Sequence, residues 1–321
     1  MQAVRFHEYG APAVLRCEEV PAPDLLPDHL LVDVRAAGVN PIDWRIRKGQ
    51  LKWVDWTPLP RTPGADVAGI VRAVGTDVEA FQEGDRVFAM LDPRTAGGYA
   101  EQAAVPATHA AIAPSSLSMV EAAGLPLVTL TAIQALRDQA HLAVGDHVLV
   151  NGASGGVGTV AVQWAKARGA TVTGVCSHRN VDLVAALGAD DVIDYTQEDV
   201  TRHDAAFDIV FDAFGNLSWR QMRATLRPGG RFVTTDISPQ RFAETVLTRA
   251  WPGASAAFVM VTPSGADLET VAGLVEKGAI QAVIDRTYPL CEAVGAHRYS
   301  ETKRAQGKIV LTTDQATGDG R

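Results

Sequence analysis

The stretch that most restricts how this chain can fold is Val148 to Arg179, VLVNGASGGVGTVAVQWAKARGATVTGVCSHR. It reads as strand, glycine-rich turn, helix and strand. Val148-Leu149-Val150 is an apolar run of the kind a parallel sheet buries on both faces. Val157, Val160, Ala161, Trp164 and Ala165 recur at helical spacing and form the expected buried face, leaving Thr159, Gln163 and Lys166 to solvent. Gly169 ends that helix, and Thr171-Val172-Thr173 begins the next strand. Such a βαβ unit aims unpaired amides and the positive end of a helix dipole at a pyrophosphate. The turn Ala153-Ser154-Gly155-Gly156-Val157-Gly158 carries Ala where the dinucleotide fingerprint has its first glycine. Its position between strand and helix still marks a dinucleotide site, with Ser154, Gly155, Gly156, Val157 and Gly158 as the candidate contacts.

The end of the second strand selects the dinucleotide. Folds that take NAD place Asp or Glu about 20 residues beyond the glycines, on the ribose 2′-hydroxyl. Here that region is Cys176-Ser177-His178-Arg179, without a carboxylate. A serine hydroxyl and a guanidinium suit a 2′-phosphate, so Ser177 and Arg179 are candidate contacts and NADPH is favoured over NADH. The alternative for Arg179 is a solvated residue at the start of the next helix.

With 321 residues, 47% of them hydrophobic, the chain has core enough for two domains. A formal charge of −8 argues against nucleic acid as the main partner. No apolar run is long enough to cross a bilayer, and Met1 to Phe6 reads as a strand rather than a signal peptide, so no membrane association and a cytoplasmic location are expected. Cys17, Cys176 and Cys291 are odd in number and far apart. They suit a reducing compartment and are expected to form neither a disulfide framework nor a metal cluster.

Residues 1 to 123 read as short strands (2–6, 14–20, 29–36, 67–74, 86–90 and 99–106) separated by Pro, Gly and Asp, the pattern of a small irregular barrel. Two helices split by Pro126 follow between Ser118 and Leu136. A doubly wound segment runs over strands 146–151, 171–176, 191–194, 207–212 and 231–235, and Ala256 to Val261 makes a sixth strand. Residues 266–277 form a helix, and Val283 to Leu311 returns to the first domain. Thr312 to Arg321 is polar and expected to fray. The expected fold class is α/β: a doubly wound parallel sheet over 124–262, plus a barrel over 1–123 completed by 263–321.

Several stretches together resemble the medium-chain dehydrogenase/reductase superfamily, in its zinc-free quinone oxidoreductase (zeta-crystallin-like) branch. They are Gly38 to Asp43, Pro63 to Gly75, Glu83 to Val87, Gly97 to Glu101, Leu125 to Leu136, the glycine turn, Leu187 to Asp190 with Asp194-Tyr195, and Gly307 to Leu311. The resemblance spans nearly the whole chain in order. It implies a GroES-like barrel around a Rossmann domain, with the ligand cleft between them, and a homodimer. An apolar sixth strand at the sheet edge would invite the same pairing. Zinc-dependent relatives place Cys and His where this chain has Asn40 and Ala65, and residues 90–115 contain no cysteine. The donors for a tetrahedral site are missing, so no metal is expected.

The resemblance also implies roles for residues. Asn40 would face the nicotinamide ribose and substrate, or else serve as a loop amide that stabilises the turn before Pro41, with Asp43 and Arg45 on the same loop completing the candidate catalytic set. Arg45 would hold a cofactor oxygen or else pair with a surface carboxylate. Thr129 or Thr131 would bond the carboxamide or ribose. Tyr195 matches a position beside the 2′-phosphate, Phe214 and Gly215 would line the adenine-ribose side, and Lys308 would reach the cofactor or stay solvated. His297 is expected to cap or pack its helix. Trp44, Trp53 and Trp56 would flank a pocket entrance or simply pack.

The expected activity is hydride transfer from NADPH to a quinone or similar conjugated carbonyl, since without a metal to polarise a simple carbonyl an acceptor already activated by conjugation is the natural choice. An alkenal or enone reductase is the alternative within the enzymes. An NADPH-binding structural protein, sensor or RNA binder is the alternative outside them.

Overall fold

The computed structural model describes residues 1–52, 55, 57–249 and 253–313. Its first portion contains β1 (Gln2–Phe6), β2 (Leu15–Glu19), β3 (His29–Val39), α1 (Pro41–Arg47), β4 (Asp66–Val74), β5 (Arg86–Met90), β6 (Gln102–Pro106), β7 (Ala110–Ile112) and α2 (Met119–Ala123). The middle holds α3 (Pro126–Ile133), β8 (His147–Asn151), α4 (Gly156–Ala167), β9 (Thr171–Cys176), α5 (Val181–Ala186) and β10 (Asp191–Asp194). It continues with β11 (Phe207–Asp212), α6 (Trp219–Met222), β12 (Leu226–Thr234), α7 (Pro239–Arg249) and β13 (Ser255–Phe258). The chain then forms α8 (Gly265–Glu276), β14 (Ile284–Pro289), α9 (Ala293–Glu301) and β15 (Lys308–Thr312).

Two compact units result. One comprises Met1–Leu127, Thr262–Gly278 and the chain from Ala282 on; the other comprises Val128–Val261 with Ala279–Gln281. In the first, β3 is the organising strand. Its alternating burial and 11-residue length let it pair antiparallel with β4, β6 and β15 in one seven-stranded sheet. Val4, Phe6, Leu30, Val32, Val34, Val105 and Leu311 interlock in its core. Gly64 is needed for backbone reasons: φ is +101°, and a Cβ there would lie 2.3 Å from the Tyr99 ring.

In the second unit, six parallel strands run in the order β10-β9-β8-β11-β12-β13, the doubly wound order that reverses between its first and fourth strands. That switch lies between β8 and β11, whose apolar runs are almost wholly buried. Its core joins Leu149, Val175, Ile193, Phe207, Val210 and Phe232.

Four expectations are corrected. Helix α4 does not leave Thr159 and Gln163 to solvent; they are 2% and 5% exposed, while Val157 is only half-buried. Gln163 is buried because its amide exchanges two hydrogen bonds with the backbone of Gln281, a segment the local period does not reveal. The second linker helix, expected to run to Leu136, ends as α-helix at Ile133 and gives way to a π-helical turn over Gln134–Gln139, in which Ala140 N–H reaches Ala135 O at 2.9 Å. The cysteines are not all free: Cys17 and Cys291 form a disulfide, with Cα atoms 5.1 Å apart. Chain topology brings together what 274 residues of sequence separate. The fray expected from Thr312 does not begin there: Thr312 closes β15 opposite Ala36, and Thr313 is 4% exposed and donates Oγ1–H to Val34 O at 2.7 Å. Residues 314–321, like Trp53 and Trp56, lie outside the described residues.

Candidate functional site

In the second unit the site is built at the carboxyl ends of β8, β9, β10 and β11. After β8 the chain turns on Gly152 (φ +77°), whose carbonyl accepts from Gly155 N–H at 3.0 Å, and Gly155, the N-cap of α4, accepts from Thr159 N–H at 2.9 Å. A Cβ on Gly158 would sit 2.1 Å from the Gly152 carbonyl, so only glycine lets the helix start this close to the strand. The close approach thus involves Gly152 and Gly158, and the Ala at the fingerprint's first glycine position is accommodated. Gly156, Val157 and Gly158 form the first turn of α4, where helix geometry supplies no acceptor for the amides. Ser154 is 9% exposed, and its Oγ accepts from Asn180 Nδ2 at 2.7 Å, tying the turn to the end of β9.

Ser177 caps the short 3₁₀ turn His178–Asn180 and is half-buried, while Arg179 on that turn is exposed. Tyr195, 60% exposed, follows β10 and donates its N–H to Cys176 O at 3.1 Å. Ser177, Arg179 and Tyr195 therefore share one corner. A carboxylate does reach it through space: Asp194, in register with Cys176, has Oδ2 3.4 Å from His178 Nδ1. Its oxygens accept from Thr196 N–H and Oγ1 and from Gln197 Nε2, and the Thr196 bonds hold its pKa below the usual carboxylate range.

The loop after β11 is fixed by Asp212. This buried carboxylate accepts from Asn151 Nδ2 (2.8 Å), Gly215 N–H (3.0 Å), Leu217 N–H (2.9 Å) and Thr234 Oγ1 (3.0 Å), and burial raises its pKa. It sets the backbone of the loop carrying Phe214 (43% exposed) and Gly215 (φ +77°), and Phe214 Cβ closes on Gly152. Thr129 and Thr131 on α3 are both buried.

In the first unit the candidate residues form a buried polar network. Asn40 is 1% exposed and starts α1, donating its N–H to Asp43 Oδ2 at 2.8 Å. Its side chain donates to Asp66 Oδ2 (2.8 Å) and accepts from Lys308 Nζ (2.5 Å). Lys308 is therefore not solvated: it is 5% exposed, pairs with Asp66 and donates to Val39 O. The second Asp66 oxygen accepts from Leu127 N–H at 2.7 Å.

Asp43, buried, also accepts from Tyr99 OH (3.1 Å), and desolvation pushes its pKa up to about 7. His297, fully buried on α9, places Nε2 3.3 Å from Tyr99 OH, and burial depresses its pKa to about 3. With Tyr99 donating to Asp43, the neutral ring donates from Nε2, leaving Nδ1 without a partner. Arg45 is half-buried over the Trp44 ring. Trp44 packs: it is 6% exposed and donates Nε1–H to Ser300 Oγ.

Sequence reading missed Asp66, Tyr99, Asp194 and Asp212 as organisers. Asp212 did carry a signal, a carboxylate ending an apolar strand at the switch point. Asp66 stood inside a motif read only for its lack of metal ligands. No such ligand set is present among the described residues, where no three His, Cys, Asp or Glu side chains are placed to hold a metal. The positions of Asn40 and Ala65 do not fit zinc, and no step is assigned to it.

Residues 26–115 match the alcohol dehydrogenase GroES-like domain, and residues 187–311 match the family described as zinc-binding dehydrogenase. The chain is 34% identical to a chloroplastic quinone-oxidoreductase homolog of Spinacia oleracea, over 97% of this chain and 98% of that protein. It is 34% identical to the chloroplastic NADPH-dependent alkenal/one oxidoreductase of Arabidopsis thaliana, over 97% and 79%. The crystal structure of Escherichia coli quinone oxidoreductase complexed with NADPH superposes with a TM-score of 0.83 at 27% identity, covering 97% of this chain and 100% of that one.

Proposed function

The chain belongs to the quinone-oxidoreductase branch of the medium-chain dehydrogenase/reductase superfamily, and from that premise we propose that it is an NADPH-dependent, zinc-independent oxidoreductase that reduces a quinone or a similar conjugated carbonyl. The observation that carries this reading is the turn at the sheet's switch point, where Gly158 packs against Gly152 and the first amides of α4 are left for a pyrophosphate. Bound NADPH supplies the hydride. The protein's part is to hold and orient it. The α4 amides would take the pyrophosphate, Ser177 and Arg179 the 2′-phosphate, and Phe214 would line the adenine-ribose side from a loop stiffened by Asp212. Asp194 near that corner is held by bonds from Thr196 and Gln197 and lies 3.4 Å from His178, which orients its oxygens toward those partners. Asn40, Asp43 and Arg45 are the proposed catalytic set; they lie not on a loop but at the start and along α1, with Asn40 as its N-cap held by Lys308 and Asp66. An acceptor activated by conjugation needs no metal to polarise it, and solvent returns the balancing proton.

The relative in Arabidopsis thaliana favours alkenals and enones as a second acceptor class for the same site. A panel of quinones, alkenals and enones, assayed with NADPH and NADH by loss of nicotinamide absorbance, tests both readings. Turnover with NADPH supports the proposal, and its pattern ranks the acceptors. Bound NADPH with no turnover on any of them would point to a binding role instead.

The same proposal includes a homodimer and a cytoplasmic location. Strand β13 is an outer strand of its sheet, and Phe242 (61%), Leu247 (70%) and Met260 (69%) expose apolar surface on the adjoining α7 and the chain after β13. No helix among the described residues is long and apolar enough to cross a membrane.

A further inference from the structure

We propose that Cys17 and Cys291 form a reversible thiol–disulfide site, closed by a small disulfide such as oxidised glutathione, that pins helix α9 against α1. Both residues are exposed on the surface of the first unit, one in the middle of β2 and the other in the 3₁₀ turn Leu290–Glu292 that leads into α9. Their Cα separation of 5.1 Å lies within the range a disulfide spans without backbone movement. Exposed disulfides are the labile ones, open to attack by small thiols. The third cysteine is unsuited to compete: Cys176 is buried, and desolvation pushes its thiol up to about 11.

The bond closes in two exchanges. The thiolate of one cysteine attacks glutathione disulfide, forming a mixed disulfide and expelling glutathione thiolate. The second cysteine's thiolate then attacks the protein-bound sulfur of that mixed disulfide and expels another. Two electrons pass from the protein to glutathione, and the two thiol protons go to the expelled thiolates. Excess glutathione runs the sequence backwards.

The consequence lies in what the turn is attached to. Leu290 and Ala293, on either side of the bonded residue, are buried in the core. Three side chains of α9 reach α1 or its partner Tyr99: Ser300 accepts from Trp44, Glu301 pairs with Arg47, and His297 meets Tyr99. Tyr99 in turn donates to Asp43, whose carboxylate caps the Asn40 backbone. Tethering the first turn before α9 therefore restrains the helix that seats the Asn40 loop.

The full chain, equilibrated in glutathione buffers from fully reduced to fully oxidised and trapped with iodoacetamide, tests the site by intact mass. Two trapped thiols in reduced buffer, none in oxidised buffer and a midpoint between them are expected, with Cys17→Ser and Cys291→Ser each abolishing closure. Hydrogen exchange over residues 41–47 and 290–301 should slow by about tenfold or more on closure. A pair that stays closed in excess glutathione is a permanent staple, and one that stays open in its disulfide does not form; either overturns the proposal. Closure with unchanged exchange in both segments overturns the coupling. Only a kinetic readout, a change in KM for the acceptor between the two states, rests on the proposed function. Absence of NADPH turnover in both states would count against that function while the trapping result stands alone.

Discussion

Lys308 Nζ lies 3.1 Å from Asp66 Oδ2, joining two buried side chains 242 residues apart. Lys308→Met leaves the Asp66 carboxylate buried without its cation, and removing one partner of such a pair costs about 3–5 kcal/mol. Urea unfolding should show that loss, and Asp66→Asn added to Lys308→Met should recover part of it. A single variant as stable as the parent would contradict the pairing.

Asp43 and His297 give opposite pH dependences. Unfolded Asp43 loses its proton near 3.8, while the folded residue keeps it to about 7. Across that window stability falls as pH rises, by about 1.4 kcal/mol per pH unit. His297 takes up a proton below 6.5 when unfolded but only near 3 when folded, so its contribution falls as pH drops across that window. Between roughly pH 4 and 6.5 the two slopes oppose. Asp43→Asn should leave the histidine slope and lose stability toward acid. His297→Gln should leave the aspartate slope and lose stability toward neutral pH. Denaturation midpoints measured across the window check both, and equal slopes in the two variants would rule the account out.

Ser177→Asp combined with Arg179→Ala should weaken NADPH binding about tenfold to a hundredfold, the value of one or more charge-assisted bonds. NADH affinity should change far less. Calorimetric titration with each nucleotide measures the difference, and equal losses for both would remove the phosphate assignment.

Asp212→Ala strips the acceptor from Asn151, Thr234 and two loop amides. Each donor left unsatisfied costs about 1–3 kcal/mol. Lower thermal stability should accompany a larger loss of NADPH affinity than Asp212→Asn produces, because the amide keeps an acceptor for the loop. Gly158→Ala, by pressing a methyl group on the Gly152 carbonyl, should abolish nucleotide binding more completely than either.

Much of the parallel sheet was legible because its strands are continuous apolar runs bounded by glycine, proline and aspartate, which depends only on neighbours in the chain. Strand 207–212 is one such case, and the glycine turn before α4 is another. What escaped depends on partners far away. Gln163 reads as a solvent position, yet Gln281 covers it; Lys308 reads as reaching the cofactor or staying solvated, yet β15 sets it against Asp66. Cys17 and Cys291 became neighbours only through the barrel's closure by both chain ends. Asp194 is remote from Ser177 in the local pattern, and parallel register places it one strand away.

The pairing of β15 with β3 also sets an order of events on the ribosome. The Asn40 neighbourhood emerges early, yet the carbonyl of Val39 waits 269 residues for the lysine that meets it. Meanwhile the nucleotide unit, nearly all one continuous stretch from Val128 to Val261, can complete itself as it is made. The nascent barrel thus carries an unfilled strand edge through most of translation, which makes it the part of the molecule that holdase chaperones would have to shield.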